Sequence, residues 1–336
     1  MRFVKVGVIG AGSWGTALAQ HLAAKGDNVN IWARRPDVVE CINSEHHNPR
    51  YLSDVALSDS IVATVAYEDC LRNAVGVVVA TPSRLMRGVA RALGEVAPRD
   101  MRVIICTKGI EDESGLLATQ VFEQEMGCPE RLAVLSGPNH AEEVVRGVPA
   151  GTVIASKSLS TAEYFQELFS TEAFRAYVSA DVTGVQVCGA AKNVMAIAVG
   201  ISYGMGFGDN TAALLLTRGQ AEMSRLANAM GADPITCMGL AGTGDLVATC
   251  MSRHSRNRRL GEMLANGKTL IDFDDETHMV AEGALACKTL LPLASRYGVE
   301  MPITEAIHSI IWEGADARET GFSLLRRPLK KENYGL

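Results

Sequence analysis

The sequence predicts an α/β fold: an N-terminal doubly wound sheet followed by an all-α C-terminal domain. Three observations carry this reading. Short apolar runs alternate with helix-periodic segments through the first half of the chain. The first of those runs ends in a glycine cluster that opens a helix. From about Asp181 the alternation stops, and long helical segments rich in small and apolar residues follow. A chain of 336 residues suits two domains at roughly 150 residues each, expected here as 1–188 and 189–336.

The elements follow in order. Phe3 to Ile9 (FVKVGVI) is an apolar run of the kind a buried strand shows. Trp14 to Lys25 reads as a helix with Gly26 as its stop, and Val29 to Trp32 as a second strand. Together they have the size of a βαβ crossover. Further strands are expected at Ile61 to Ala66, Val75 to Ala80, Arg102 to Cys106, Leu132 to Leu135, Thr152 to Ala155 and Phe174 to Val178. Helices are expected between them at Ser83 to Val96, Leu116 to Met126, Ala141 to Arg146 and Thr161 to Phe169. Beyond Asp181, Val182 to Ser202, Asn210 to Met230, Ser255 to Asn266, Glu282 to Tyr297 and Ile303 to Glu313 suit helices. Pro302 precedes the last, where a helix start tolerates it. The polar tail, Arg326 to Leu336, is expected to be loose.

Composition narrows the function classes. Hydrophobic residues make up 47% of the chain, enough for sizeable cores and too many for wholesale disorder. The net charge of −6 argues against a general nucleic-acid binder, although Ser252 to Leu260 (SRHSRNRRL) holds four Arg and no acid. The eight Cys have no CxxC or zinc-type spacing and are expected to be reduced, mostly buried thiols, with no metal site. The N-terminus reads as a strand rather than a signal peptide. Val194 to Met205, the longest apolar run outside the first domain, is read as too short to span a bilayer.

The glycine cluster is Gly10-Ala11-Gly12-Ser13-Trp14-Gly15, a G-x-G-x-x-G between strand and helix. Gly10 makes the tight turn, Gly12 admits a pyrophosphate to the backbone, and Gly15 lets helix pack on strand. This is the fingerprint of a Rossmann-type dinucleotide site. An acid usually follows the second strand to hold the ribose 2′-hydroxyl; here Arg34 and Arg35 stand in its place. An Arg there suits a 2′-phosphate, so NADP(H) is expected to serve at least as well as NAD(H).

A Rossmann domain does not define a reaction. No Tyr is followed four residues later by Lys, and close Cys/His ligands are missing, which removes two common dehydrogenase chemistries. Hydride transfer assisted by a side-chain acid or base remains. Three segments are candidates: Thr107-Lys108-Gly109, Ser136 to Glu142, and Gly189 to Val194. The last places Lys192 in a small, apolar run, where a lysine either snorkels to the surface or, partly buried with a lowered pKa, makes a useful proton donor.

Taken together, GAGSWGTALA, TKGIE, SGPNHAEE, GAAKNVMAIAVGIS, TRGQAEMSRL, GLAGTGDLVATC, SRNRR, VAEG and GVEMPIT resemble the bacterial-type NAD(P)-dependent glycerol-3-phosphate dehydrogenases over nearly the whole chain. The resemblance implies reversible reduction of dihydroxyacetone phosphate to sn-glycerol 3-phosphate, feeding glycerophospholipid synthesis. It also implies a cytoplasmic, typically dimeric protein (a homodimer), while charge and hydropathy lead us to expect no nucleic-acid partner and no membrane insertion. Matched motif to motif, it gives Lys192 the acid/base position and Lys108 a position shared by cofactor and substrate. Asp245 takes a substrate-contacting one. Gly137 and Asn139 line the substrate pocket, Asn standing where the family commonly has Ser or Thr, and Ala141 faces the cofactor. Ser255, Arg256 and Asn257 match the substrate-phosphate segment, with Arg256 also near the cofactor. Ser13, Trp14, Arg34, Val280 and Glu282 match cofactor contacts.

The residues fit these roles. A lysine ammonium stabilises the oxyanion that forms as hydride arrives. Ser255 as an N-cap would let a helix N-terminus, an Arg fork and an Asn amide converge on one anion. Asp245 either orients Lys192 or binds a hydroxyl. His140 is read as pocket wall or cap, and His254 and the run Asp272 to Glu276 as solvated surface. Two alternatives stand beside this reading: a related two-domain dehydrogenase of another small hydroxy acid or sugar phosphate, and a non-catalytic NADP(H)-sensing protein.

Overall fold

The computed structural model describes residues 4–277, 280–332 and 334–335. They form two compact units: residues up to Thr107 with Ala118–Val182, and Lys108–Leu117 with the residues from Thr183 onward.

The first unit alternates strands and helices: β1 (Lys5–Ile9), α1 (Ser13–Ala24), β2 (Asn28–Trp32), α2 (Pro36–Glu45), β3 (Ile61–Thr64), α3 (Tyr67–Leu71), β4 (Gly76–Val79), α4 (Met86–Val96), β5 (Arg102–Ile105), α5 (Ala118–Met126), β6 (Leu132–Ser136), α6 (Ala141–Val144), β7 (Ala150–Ser156), α7 (Leu159–Phe169) and β8 (Phe174–Ser179). They build one eight-stranded sheet in the order β3-β2-β1-β4-β5-β6-β7-β8. Val6, Val8, Val77, Val78, Ile104 and Ile105 are all buried, because a sheet covered on both faces hides both sets of side chains. The chain runs outward from β1 in both directions, through β2 on one side and β4 on the other. The glycine cluster therefore sits at the carboxyl end of β1, at the switch point where such sheets bind ligands.

Pairing is parallel except between β6 and β7, which run antiparallel with Val134 opposite Ala155. In this unit two helices, α2 and α3, went unpredicted. Helix α2 buries only Val38 and Ile42, too thin a stripe to stand out against its polar neighbours. The expected strand from Phe3 is observed from Lys5; Phe3 itself lies outside the described residues.

The second unit is helical: α8 (Val182–Gly204), α9 (Asp209–Ala229), α10 (Asp245–Met251), α11 (Arg256–Ala265), α12 (Leu270–Thr277), α13 (Glu282–Arg296), α14 (Pro302–Trp312) and α15 (Ala317–Leu325). Helix α8 is its axle. It is apolar on all sides, the signature of a buried helix. A Cβ on Gly200 would stand 2.1 Å from the Arg258 carbonyl oxygen, and one on Gly261 would stand 2.1 Å from that of Ile197. Glycine at both positions lets α8 and α11 cross backbone against backbone.

Three expectations need correction. First, the domain boundary is not at 188, because α8 runs unbroken through that position; the units part at Val182 and Thr183. Segment 108–117 also belongs to the helical unit, since Ile110 and Leu117 bridge to each other and are buried in its core. Second, the helix carrying the Val194 apolar run is 23 residues long and passes a membrane span by length and composition, yet its 18-residue apolar window is entirely buried inside the protein. Third, the described part of the tail is held rather than loose. Arg218 donates to the Glu332 carbonyl at 2.9 Å, Lys330 pairs with Glu300 at 2.7 Å, and Arg225 lies 4.6 Å from the centre of the Tyr334 ring. All eight cysteines are free thiols, six of them buried.

Candidate active site

The glycine loop is shaped by contacts that no side chain could share. Gly10 has φ +113°, and a Cβ there would meet the Ala80 carbonyl oxygen at 2.8 Å. A Cβ on Gly15 would stand 1.8 Å from the Gly10 carbonyl oxygen, whereas one on Gly12 would meet nothing within 4 Å. Helix α1 starts at Ser13 and Trp14 with no side-chain cap, so its first N–H groups remain available to an anion. The buried Trp14 Nε1 and Thr81 Oγ1 lack hydrogen-bond partners among the described residues, as polar atoms beside a ligand do. Open space at Gly12, an uncapped helix start and orphaned polar atoms together fit a dinucleotide.

Beyond β2 the two arginines separate. Arg35 is tied to Asp37 at 3.0 Å, and the same Arg35 contact is the main cause that holds the Asp37 carboxyl down at about 2. Arg34 is exposed and makes no ion pair among the described residues. After β6, Gly137 presses on β7: its Cβ would meet Thr152 Cα at 2.8 Å. The Asn139 amide donates to the Pro138 and Gly151 carbonyls at 3.0 Å each. That fixes its orientation and leaves its buried Oδ1 without a donor. Ala141 opens α6 and packs with Ala17 of α1. His140 occupies the N-cap position without a capping bond from its side chain.

The helical unit holds the candidate acid/base group. Lys192, midway along α8, is 5% exposed and Asp245, the first residue of α10, is 2% exposed. A π-helical turn, Leu240–Gly244, leads into α10; such turns recur at functional sites. Lys192 donates to Asp245 Oδ1 and to Thr249 Oγ1 at 2.5 Å. Lys108 donates to Asp245 Oδ2 at 2.6 Å. Burial pulls the Lys192 ammonium down to about 8, aided by the Lys108 charge and opposed by Asp245. For Asp245, burial works against the charged form, but Lys108 and Lys192 outweigh it and hold the carboxyl below its ordinary value. Both carboxylate oxygens are thus engaged by lysines, which favours the orienting role over hydroxyl binding. Thr249 is the residue that sequence reasoning missed. Its only signal was an i, i+4 spacing from Asp245 on a helix that was not predicted.

The arginine-rich stretch divides by helical phase. Ser255 is the N-cap of α11 and accepts from the Arg258 N–H at 3.2 Å. Asn257 is buried and bonded inward: its Nδ2 donates to Asn193 Oδ1 at 3.0 Å, and its Oδ1 accepts from the Gly283 N–H at 2.9 Å. Arg258 donates to Glu262 and to the Met251 carbonyl and lies over the Tyr203 ring. Arg256 is exposed and forms no ion pair among the described residues, which leaves it free for an incoming anion. Val280 and Glu282, half-buried, flank the start of α13.

Known families match both units. The family model for the N-terminus of NAD-dependent glycerol-3-phosphate dehydrogenase matches residues 5–162, and that for its C-terminus matches residues 181–321. The chain belongs to the NAD-dependent glycerol-3-phosphate dehydrogenase family. It is 45% identical to a glycerol-3-phosphate dehydrogenase [NAD(P)+] of Chlorobium luteolum, over 97% of this chain and 99% of that protein. It is 43% identical to another from a Thermoanaerobacter species, over 99% and 100%. The crystal structure of a glycerol-3-phosphate dehydrogenase from Coxiella burnetii superposes with a TM-score of 0.93 at 34% identity, covering 97% of this chain and 99% of that one. A ketopantoate reductase-family structure from Ralstonia eutropha, 17% identical with a TM-score of 0.62, shares the fold alone.

Proposed function

We propose that this member of the family reduces dihydroxyacetone phosphate to glycerol 3-phosphate with NADPH or NADH, reversibly, and that Lys192 is its proton donor. The observation that carries the assignment is the buried Lys192–Asp245–Lys108 cluster. When bound, the reduced nicotinamide supplies the hydride. The chain's own residues handle the charge that follows. As the ketone oxygen becomes negative, the Lys192 ammonium releases its proton to it and Lys108 remains as a fixed positive neighbour. Asp245 holds both ammonium groups in place, and Thr249 limits where Lys192 Nζ can lie. An ammonium near 8 is protonated at neutral pH yet gives up its proton without a large penalty.

Phosphate binding falls to Arg256 and the N-terminus of α11, whose helix dipole favours an anion. That binding energy positions the carbonyl and takes no part in bond making. Asn257 contributes mainly by fixing α11 against α8 and α13, with one N–H to spare. Arg34 is the better candidate than Arg35 for a 2′-phosphate. By motif match, Gly137 and Asn139 are assigned to the substrate, and Ala141, Val280 and Glu282 to the cofactor. Cytoplasmic location, a homodimer and a place in phospholipid synthesis extend the same reading.

Purified chain mixed with dihydroxyacetone phosphate and NADPH or NADH should consume the reduced cofactor, read by absorbance. Lys192→Ala should lower kcat at least ~100-fold. Cofactor binding without turnover would support the sensing alternative instead, and turnover preferring another hydroxy acid or sugar phosphate would support the related dehydrogenase.

A further inference from the structure

Helix α2 ends in three side chains with metal-ligating chemistry that the reaction above does not use. Cys41 and Glu45 lie one turn apart on its last stretch. His46 closes the helix in the left-handed conformation, φ 51° and ψ 41°, and the chain turns back so that His47 meets that same turn. His47 Nδ1 is 3.3 Å from Cys41 Sγ and 3.6 Å from Glu45 Oε2. One ligand atom from each of the three residues lies within 4.8 Å of the others.

These separations have a chemical meaning. A tetrahedral zinc ion, with Zn–S near ~2.3 Å and Zn–N or Zn–O near ~2.0–2.1 Å, places neighbouring ligand atoms roughly 3.3–3.6 Å apart. Thiolate, imidazole and carboxylate together form a borderline-soft set, which suits zinc-class ions and not magnesium or calcium, whose sites are built from oxygen. The spacing escapes a motif search because the ligands are a helical pair plus a residue returned by a turn.

The geometry points to a binding site for a zinc-class divalent cation at Cys41, Glu45 and His47, with a fourth position left for water. The flanks of the site are fixed. On the helix side, the Asn43 side chain donates to the Ala63 carbonyl and accepts from the Ala63 N–H, at 3.0 and 2.7 Å, pinning α2 to β3. On the other side, Asn48 is fully buried. Its Nδ2 donates to the Ala11 carbonyl and Thr16 Oγ1, at 3.0 and 2.9 Å, and its Oδ1 accepts from the Arg50 and Tyr51 N–H groups. The backbone that carries the ligands is therefore fixed on both sides of the site before any ion arrives. The Glu45 side chain is 65% exposed and that of His47 31% exposed, so the ion enters directly from solvent.

The test uses the full chain, reduced and stripped with a chelator, titrated with Co²⁺ as a coloured surrogate for zinc. A thiolate-to-cobalt charge-transfer band should grow, saturate at one ion per chain and vanish when zinc is added. Cys41→Ser and His47→Ala should each abolish the band and weaken zinc binding at least ~10-fold against a chromophoric chelator. Cys128→Ser, which removes the exposed thiol, should leave both unchanged. Unchanged thermal unfolding of the metal-free variants shows that they fold; if Cys41→Ser does not, His47→Ala still decides. No charge-transfer band in the parent chain, or a band that survives His47→Ala or is lost in Cys128→Ser, would overturn the site.

Discussion

Replacing Asp245 by Asn tests the division of labour in the lysine cluster. The change keeps size and hydrogen-bonding shape but removes the negative charge that both Lys108 and Lys192 contact. That charge raises Lys192, against burial and Lys108, which lower it to about 8. Losing an adjacent opposite charge moves a titrating group by about 1–3 pH units, so Lys192 in the variant should titrate between about 5 and 7. Near pH 7 the protonated fraction then falls from about nine-tenths to somewhere between about a half and a hundredth, by the same shift. Reduction needs the protonated form, so kcat should drop by the same ratio and return as the pH is lowered. The assay is the pH profile of kcat for NADPH-dependent reduction of dihydroxyacetone phosphate at saturating substrates. The parent should lose rate as pH rises through about 8, and the variant should lose it at lower pH. A profile whose break stays in place while its height falls would mean that Asp245 acts on the substrate and not through Lys192.

Other residues give independent outcomes. Arg256→Ala should raise KM for dihydroxyacetone phosphate roughly 10- to 100-fold, the worth of a charge-assisted bond, with little effect on unphosphorylated dihydroxyacetone; equal effects on both would remove its phosphate role. Arg34→Ala should raise KM for NADPH by about tenfold on the same scale while sparing NADH, and a parent enzyme strongly selective for NADH would defeat the idea at once. Glu222 tests stability: burial pushes its carboxyl up to about 7, despite N–H bonds from Ile303 and Thr304 that favour the charged form. With the folded value above the unfolded one, the native state binds the extra proton, so this group's stabilisation is lost as pH rises through about 7. The Tm difference between Glu222→Gln and the parent should therefore widen in the variant's favour from pH 5 to pH 8; a constant difference would refute the linkage.

What the sequence makes legible depends on the range of the physics involved. The glycine loop was readable because every constraint on it is local: strand end, tight turn and helix start lie within a few residues. Ser255 was readable as an N-cap for the same reason. Lys192 stood out because an ammonium in an apolar helix has to be accounted for, but its partners lie 53 and 57 positions away, and nothing in its neighbourhood names them. The antiparallel turn of β7 was hidden because a buried apolar run reads alike in either direction. The placement of segment 108–117 in the helical unit was hidden because only the burial of Ile110 and Leu117 decides it.

The arginine-rich stretch shows why a motif does not by itself assign roles. Ser255, Arg256 and Asn257 are consecutive, and a ligand-binding reading treats them as one group. Consecutive positions on a helix start face different directions, so one of them can be turned inward while its neighbour faces out. Here Asn257 is inward, joining α11 to Asn193 on α8 and to the Gly283 N–H on α13, while Arg256 faces solvent. The inward residue sets where the helix N-terminus lies, and the outward one meets what arrives there. On the phosphate role proposed for this stretch, the two act through different physics: loss of Asn257 should displace the helix N-terminus, whereas loss of Arg256 should remove a charge from a helix start that stays in place.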